Sequence, residues 1–289
     1  MRKAVSLLVV ALLPALLAGL ASLAGNPPPP QLQAATLAPV PAVAPSSTPP
    51  RASAVPQARP TPGSDAIRRQ FESATNYAAF IHDAMQRPGE GGRFYAYLAN
   101  ARCTEFASWR RSASTDITGD PALYEKALRR IEDLQRRCSG VNSDFGSQLG
   151  FARAFLYASD KTPDALMITP GPRSGTDAGS IDADLTRARQ AGDPYLLAML
   201  IEASAGQLGA RIDPAFADPA AQEVLHLAAA AAACQIVGDC TDSLQLHMQC
   251  FAGGQCEYGD RRQALRAQVP AQSQALFDRT VQALLTIAR

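Results

Sequence analysis

Histidine, aromatic residues and net charge are all scarce in this 289-residue chain. None of its three histidines stands in a His-Glu-x-x-His pattern, so no helix-borne metal site is indicated. The formal net charge of +1 gives no basic field of the kind that attracts nucleic acid. Glycine-rich nucleotide loops and the Gly-x-Ser-x-Gly turn of hydrolases are also missing. The sequence therefore predicts no catalytic, cofactor-binding or metal-binding residue, no cofactor and no nucleic-acid partner.

Alanine-rich segments with helical periodicity are abundant instead. Near the C-terminus, Phe277, Val281, Leu284 and Ala288 fall on one face of a helix. No window alternates in polarity as a half-buried strand would. We therefore expect an all-α fold, either an irregular multi-helix bundle or a short α-solenoid-like array, stapled by disulfides and preceded by a disordered N-terminal region.

Helix ends are marked by Asp-Pro starts and glycine stops. Asp120, Asp193 and Asp218 each precede a proline, which suits an N-cap followed by the first helical position. Expected stops include Gly192 and the stretch from Gly206 to Gly209. The predicted helices cover residues 64–87, 92–113, 120–138, 143–160, 180–191, 193–207, 218–238, 242–252 and 270–288.

The first 25 residues are typical of a membrane-targeting segment. Arg2 and Lys3 precede an uncharged apolar run at residues 4–25. Small residues at Ser22 and Ala24 suit cleavage as a signal peptide, but the run is also close to the roughly 20 residues that span a bilayer. Both outcomes stay open: a cleaved signal peptide, or a signal anchor in the inner membrane.

Residues 26–63 form a proline- and alanine-rich stretch that opens with four consecutive prolines. Such a sequence cannot form a hydrogen-bonded ladder or bury a core, so we expect a disordered linker. The remaining residues, 64–289, are predicted to form one all-helical domain.

All six cysteines lie within that domain, at Cys103, Cys138, Cys234, Cys240, Cys250 and Cys256. An even number in an exported chain predicts disulfides, although six cysteines allow 15 pairings. Antiparallel helices could bring the first two together, and local bridges 234–240 and 250–256 are favoured over a crossed arrangement. A zinc site is the alternative, but its paired ligands are usually two to four residues apart, not five.

The cysteine-rich C-terminal segment resembles a group of exported proteins of proteobacteria. They share an alanine-rich helix, a Gly-Asp-Cys turn such as Gly238-Asp239-Cys240 and a Gly-Gly-x-Cys turn. The resemblance implies an all-helical fold in an oxidising, periplasmic or exported location, but no activity. A shorter stretch, residues 185–202, resembles one unit of tetratricopeptide-type repeats and is equally consistent with an ordinary helical hairpin.

The remaining polar residues have structural interpretations. We expect His226 to be packed or capped on its alanine-rich helix, and His82 and His247 to lie at the surface or an interface. Asp182 and Asp184 are expected in the first turn of a helix, where its dipole favours them.

Glu72-Ser73 resembles the glutamate-serine pair that helical lytic transglycosylases place at a helix end, where the glutamate acts as general acid. The pair is predicted to lie in the middle of helix 64–87, and the Gly-Leu-Met-Gln segment of those enzymes is missing. A solvated helix face is the simpler interpretation of Glu72.

Two functions are consistent with these observations. The first is a non-catalytic periplasmic or exported protein whose helical domain binds an envelope protein or a cell-wall partner. The second is a periplasmic hydrolase acting on envelope polymers. A tether to the inner membrane through residues 4–25 is compatible with either.

Overall fold

Eleven α-helices account for most of the residues that the structure, a computed structural model, describes: 64–109, 118–142, 150–151, 162, 164–166 and 178–289. The expected signal segment 1–25, the expected linker 26–63 and nearly all of the expected helix 143–160 lie outside these residues. Every described residue belongs to one unit, Ala54–Arg289. The predicted all-α fold is confirmed.

We number the helices in chain order. They are α1 Ser64–Ser73, α2 Tyr77–Ala84, α3 Gly92–Trp109, α4 Pro121–Arg137, α5 Ala178–Ala191, α6 Pro194–Ala203, α7 Ala205–Ile212, α8 Pro219–Val237, α9 Leu244–Gly253, α10 Arg261–Gln268 and α11 Gln274–Ala288. Short 3₁₀ turns lie at Pro88–Glu90, Pro214–Ala217 and Ala271–Ser273. Two two-residue strands, β1 Thr118–Gly119 and β2 Gln255–Cys256, pair in parallel.

Helix α8 is the centre of the C-terminal half. It packs against α6, α7, α10 and α11. Its alanines at 228, 229, 231 and 232 are almost fully buried. Small side chains let the four neighbours approach the α8 backbone closely.

The N-terminal half is built on α3. That helix packs against α1 and α2, while α4 packs against α9. An aromatic cluster fills the space between α1, α2 and α3, with Phe71, Tyr77 and Tyr95 all at most 1% exposed. Burial of large rings such as these contributes strongly to the stability of the core.

The helix predicted over 64–87 is wrong, because the chain breaks between α1 and α2. Asn76 adopts an extended conformation, and its side-chain oxygen accepts a hydrogen bond from the Ala79 N–H at 3.0 Å. Asparagine caps a new helix well, and this local signal outweighs the continuous apolar periodicity.

The helix predicted over 193–207 is also wrong, since α6 ends at Ala203 and α7 begins at Ala205. Ser204 leaves helical geometry at the junction. Gly206 and Gly209, expected as stops, lie inside α7. A Cβ at Gly209 would come within 2.2 Å of Leu225 Cδ2, so this glycine allows close packing of α7 on α8.

Helix α10 was not predicted. Asp260 caps it by accepting a hydrogen bond from the Gln263 N–H at 3.1 Å. Of its eight residues, however, Ala264 alone is buried. One buried alanine gives no periodic apolar signal. By contrast, Asp120 and Asp193 cap α4 and α6 as expected.

Within the described residues, no helix is both long enough and apolar enough to cross a membrane. The candidate segment 4–25 lies outside that part of the chain.

Candidate functional site

All six cysteines form disulfides, in the arrangement that the sequence favoured. Cys103 pairs with Cys138, Cys234 with Cys240 and Cys250 with Cys256, with Cα–Cα distances of 5.5, 4.8 and 4.6 Å. The first bridge ties α3 to α4, and the other two close the ends of α8 and α9. No thiol is left to bind zinc.

Metal-binding groups of three or more histidine, cysteine or carboxylate side chains are absent from the described residues. The expectations for two histidines are wrong. His226 is exposed on α8, whereas His247 is 4% exposed and its Nε2 lies 3.2 Å from Asp242 Oδ1. His82 is exposed on α2, as expected.

The acidic residues near the start of α5 are not in its first turn. The helix begins at Ala178, so Asp182 and Asp184 lie one turn further on. Asp182 pairs with Arg211 at 2.7 Å, and Asp184 pairs with Arg187. These carboxylates stabilise the fold locally.

Glu72 and Ser73 end α1, so the prediction that they lie in mid-helix is wrong. The Ser73 hydroxyl donates to the Arg69 carbonyl oxygen at 2.7 Å. Glu72 is exposed, and its Oε1 lies 3.5 Å from the Tyr195 hydroxyl. The pair therefore has the helix-end position, but Glu72 is exposed rather than enclosed in an apolar cleft.

A groove of about 220 Å³ opens beside Glu72. Seven separate segments meet there: α1, α2, α3, α4, α6, the turn after α8, and α9. Its charged walls are formed by Glu72, Arg102, Arg130, Asp133, Arg137, Asp239 and Asp242. We call it the Arg102 groove.

Arg102 lies on α3 and is held by aromatic rings. Its Cζ lies 4.4 Å from the centroid of the Phe71 ring and 5.7 Å from that of Tyr195. Its Nη1 donates to the Tyr77 hydroxyl at 3.3 Å. No carboxylate of the described residues lies within 4 Å of this guanidinium, so its charge is held by rings and a hydroxyl rather than by an anion.

The cations on the α4 wall are already paired. Arg137 Nε lies 2.6 Å from Asp133, and Arg130 forms a close ion pair with Asp242. Asp242 also bonds to His247, as described above. Burial lowers the pKa of His247, and the neighbouring Asp242 carboxylate partly offsets this.

Asp239, unlike Asp242, forms no ion pair with the other described residues. It lines the Arg102 groove and, among the residues that the structure describes, no cationic group lies within 4 Å of its carboxylate. Burial raises the pKa of Asp239, while the charges of Arg102 and Arg261 act in the opposite direction. Among the described residues that line the groove, Arg102 is thus the cation outside an ion pair, and the carboxylates outside one are Asp239 and, at the exposed rim, Glu72.

Two more carboxyl groups lie behind Asp239. Glu202 lies 3.7 Å from Arg261, and Glu105 accepts from the Gln245 side-chain amide at 3.4 Å. Burial raises the pKa of both glutamates, and the charge of Arg261 opposes the shift. The positive charge of Arg261 thus acts on three carboxyl groups, Glu105, Glu202 and Asp239. Of these three, Asp239 lines the Arg102 groove.

Three residues that line the Arg102 groove each directly precede a disulfide-bonded cysteine. Arg102 precedes Cys103, and Arg137 precedes Cys138. Asp239 precedes Cys240 in a turn where the N–H groups of Gly238 and Asp239 both donate to the Cys234 carbonyl oxygen. The bridges therefore hold the walls of the groove in place.

Sequence reasoning did not identify Arg102, Tyr195 or Asp239. They come from three different segments, and no local spacing links them. The one available signal was the Gly238-Asp239-Cys240 turn, where an acidic residue sits beside a half-cystine. From the sequence, this turn indicates only the resemblance to exported proteins of proteobacteria.

Comparison with family models, curated proteins and solved structures gives no match to this chain.

Proposed function

We propose that the protein is a non-catalytic binding protein of the periplasm, and that the Arg102 groove holds a short, charged segment of a cell-wall polymer. The observation that carries the proposal is the guanidinium of Arg102, which faces the groove without a carboxylate partner. A cation held on aromatic rings is ready to bind an anionic group of a ligand.

The location is supported by the disulfides. Bonded cysteines persist in oxidising compartments such as the bacterial periplasm and are rare in the cytosol. The test is alkylation of the protein in intact cells followed by mass spectrometry. Six unlabelled cysteines agree with the periplasm, and six labelled ones contradict it.

A polar polymer suits the described surface better than a large protein interface. The exposed large hydrophobic side chains in the described residues are Tyr97 and Trp109. Protein interfaces usually bury a contiguous apolar centre. The Arg102 groove instead offers charges together with the hydroxyls of Tyr77 and Tyr195, which fit the peptides and sugars of a wall polymer.

Cosedimentation with isolated peptidoglycan sacculi tests the proposal. The purified protein should pellet with the sacculi, and Arg102→Gln should move most of it to the supernatant. Arg129→Gln is the matched control, because Arg129 is exposed on α4 and its ion-pair partner among the described residues is Glu125, at 4.0 Å. Equal pelleting of the Arg102 variant and the wild type, or no pelleting at all, contradicts the proposal.

The second candidate, a hydrolase of envelope polymers, is favoured by one observation: Glu72 ends α1 and lines the groove. Against it, Glu72 is exposed, whereas the general acid of such an enzyme lies in an apolar cleft. We expect no soluble fragments from sacculi incubated with the protein. Release of fragments by the wild type but not by Glu72→Gln would establish the hydrolase instead.

A further inference from the structure

Two charged residues of the Arg102 groove that form no ion pair within the described part of the chain, Arg102 and Asp239, have opposite signs. Arg102 enters from α3, and Asp239 enters from the turn that the Cys234–Cys240 bridge closes. Their charged groups interact through space but are more than 4 Å apart, since they form no ion pair. Both side chains line the same groove.

Two further polar side chains, those of Tyr77 and Glu72, face the groove. The Tyr77 hydroxyl lies 3.3 Å from Arg102 and can donate its own hydrogen to a bound oxygen. Glu72, near the Tyr195 hydroxyl, adds negative charge at the rim. The groove therefore offers hydrogen-bond donors at Arg102 and Tyr77 and carboxylate acceptors at Asp239 and Glu72.

We infer that the Arg102 groove binds an aminocarboxylate, that is, a ligand end carrying one free carboxylate and one free ammonium group. The carboxylate pairs with Arg102 and the Tyr77 hydroxyl, and the ammonium pairs with Asp239. This inference rests on the proposed function and specifies the part of the wall polymer that is recognised: a peptide end with a diamino acid.

Both signs are required for a physical reason. A simple anion would be repelled by Asp239 and Glu72, and a simple cation would be repelled by Arg102. A ligand with both groups satisfies the charges of Arg102 and Asp239 at once, and charge-assisted hydrogen bonds are the strongest polar contacts available to it. Burial raises the pKa of Asp239, and a bound ammonium group opposes this shift because it favours the ionised carboxylate.

The test uses N-acetyl-alanyl-lysine as the probe, since its lysine carries a free ammonium and a free carboxylate. Titration calorimetry compares this dipeptide with its C-terminal amide and with its Nε-acetyl derivative. We expect each capped dipeptide to bind at least about tenfold more weakly, because each loses one charged contact. Equal affinity of the free and capped dipeptides overturns the inference.

Protein variants assign each ligand group to its residue. Asp239→Asn should weaken binding of the free dipeptide at least about tenfold and leave the Nε-acetyl derivative unchanged. Arg102→Lys, which keeps the charge but loses the planar stacking, should weaken the free dipeptide and leave the amide unchanged. Variants that weaken all three dipeptides equally contradict the assignment. Because the capped ligands test the wild-type protein, the inference remains falsifiable even where a variant fails to fold.

The outcomes also separate this inference from the proposed function. Pelleting with sacculi without binding of the dipeptide overturns the inference and leaves the proposed function standing. Binding of the dipeptide without pelleting supports the chemistry of the groove and overturns the proposed wall-binding function.

Discussion

The guanidinium of Arg102 lies over the face of the Phe71 ring, with 4.4 Å between its Cζ and the ring centroid. Phe71 is fully buried at the centre of the aromatic cluster, with the Tyr195 ring edge-on to it at a centroid distance of 5.6 Å. Because Phe71 cannot move without disturbing the core, it holds Arg102 in one position. The groove is therefore organised before any ligand arrives, which lowers the entropy lost on binding.

The three disulfides should contribute unequally to stability. The Cys103–Cys138 bridge closes a loop of sequence separation 35, and the other two close loops of separation 6. Loop-closure entropy predicts that replacing the first pair by alanine lowers the free energy of unfolding by about 4 kcal/mol, and either local pair by about 2 kcal/mol. Urea denaturation measures the differences. A larger loss for Cys234/Cys240 than for Cys103/Cys138 would show that loop length is not the controlling quantity.

Two glycines of α7 should respond to alanine with opposite signs. At Gly209 a Cβ would lie 2.2 Å from Leu225 Cδ2, so we expect Gly209→Ala to destabilise the fold by about 1–3 kcal/mol through overpacking. At Gly206 nothing lies within 4 Å of a new Cβ, so Gly206→Ala should stabilise the helix by about 0.5–1 kcal/mol. Thermal unfolding of the two variants, side by side, checks the pair. Stabilisation by both alanines would mean that α7 and α8 are not closely packed.

His247 should make the fold less stable in mild acid. Its pKa is lowered by burial below the ordinary value of 6.5, so below about pH 6.5 the unfolded chain takes up a proton that the folded chain refuses. Stability present above this pH is lost as the pH falls, by at most about 1.4 kcal/mol per pH unit. We expect His247→Gln to lose less stability than the wild type between pH 7.5 and 5.5.

The measurement is urea denaturation of both proteins across that range. The comparison isolates His247, because Glu105, Glu202 and Asp239 have raised pKa values and act in the opposite direction in both proteins. Parallel pH profiles for the wild type and His247→Gln would show that His247 does not titrate differently on folding.

Glu105 should show the reverse sign. Because burial raises its pKa, the folded chain holds a proton that the unfolded chain has lost just above pH 4.5, and the associated stability falls as the pH rises. Glu105→Gln should therefore gain stability relative to the wild type between pH 4.5 and pH 8. A relative loss over the same range, in the same urea assay, would mean that the carboxylate is favoured in the folded state.

The sequence predicted the parts of the fold that depend on local signals. Asp120 and Asp193 cap helices with their own side chains, and the local cysteine pairs are six residues apart, so both could be recognised from spacing. The role of Gly209 could not, because it depends on the contact between α7 and Leu225 on α8. Helix α10 was missed because it buries only Ala264.

The site was less predictable than the fold. Arg102 becomes distinctive only when Phe71, Tyr77 and Tyr195 surround it, and these rings come from α1, α2 and α6. In the sequence, only the neighbouring Cys103 distinguishes Arg102 from Arg129, which lies exposed on α4, and a neighbouring cysteine does not indicate a binding site. Arg102 stands out because it forms no ion pair with the other described residues, and this can be seen only in the tertiary structure.

A crystal structure of the protein bound to N-acetyl-alanyl-lysine tests the central claim most directly. The account predicts the ligand carboxylate within about 2.7–2.9 Å of the Arg102 guanidinium, the distance of a charge-assisted hydrogen bond, with the lysine ammonium at Asp239. A dipeptide bound away from Arg102, or bound with its carboxylate turned to solvent, would contradict it.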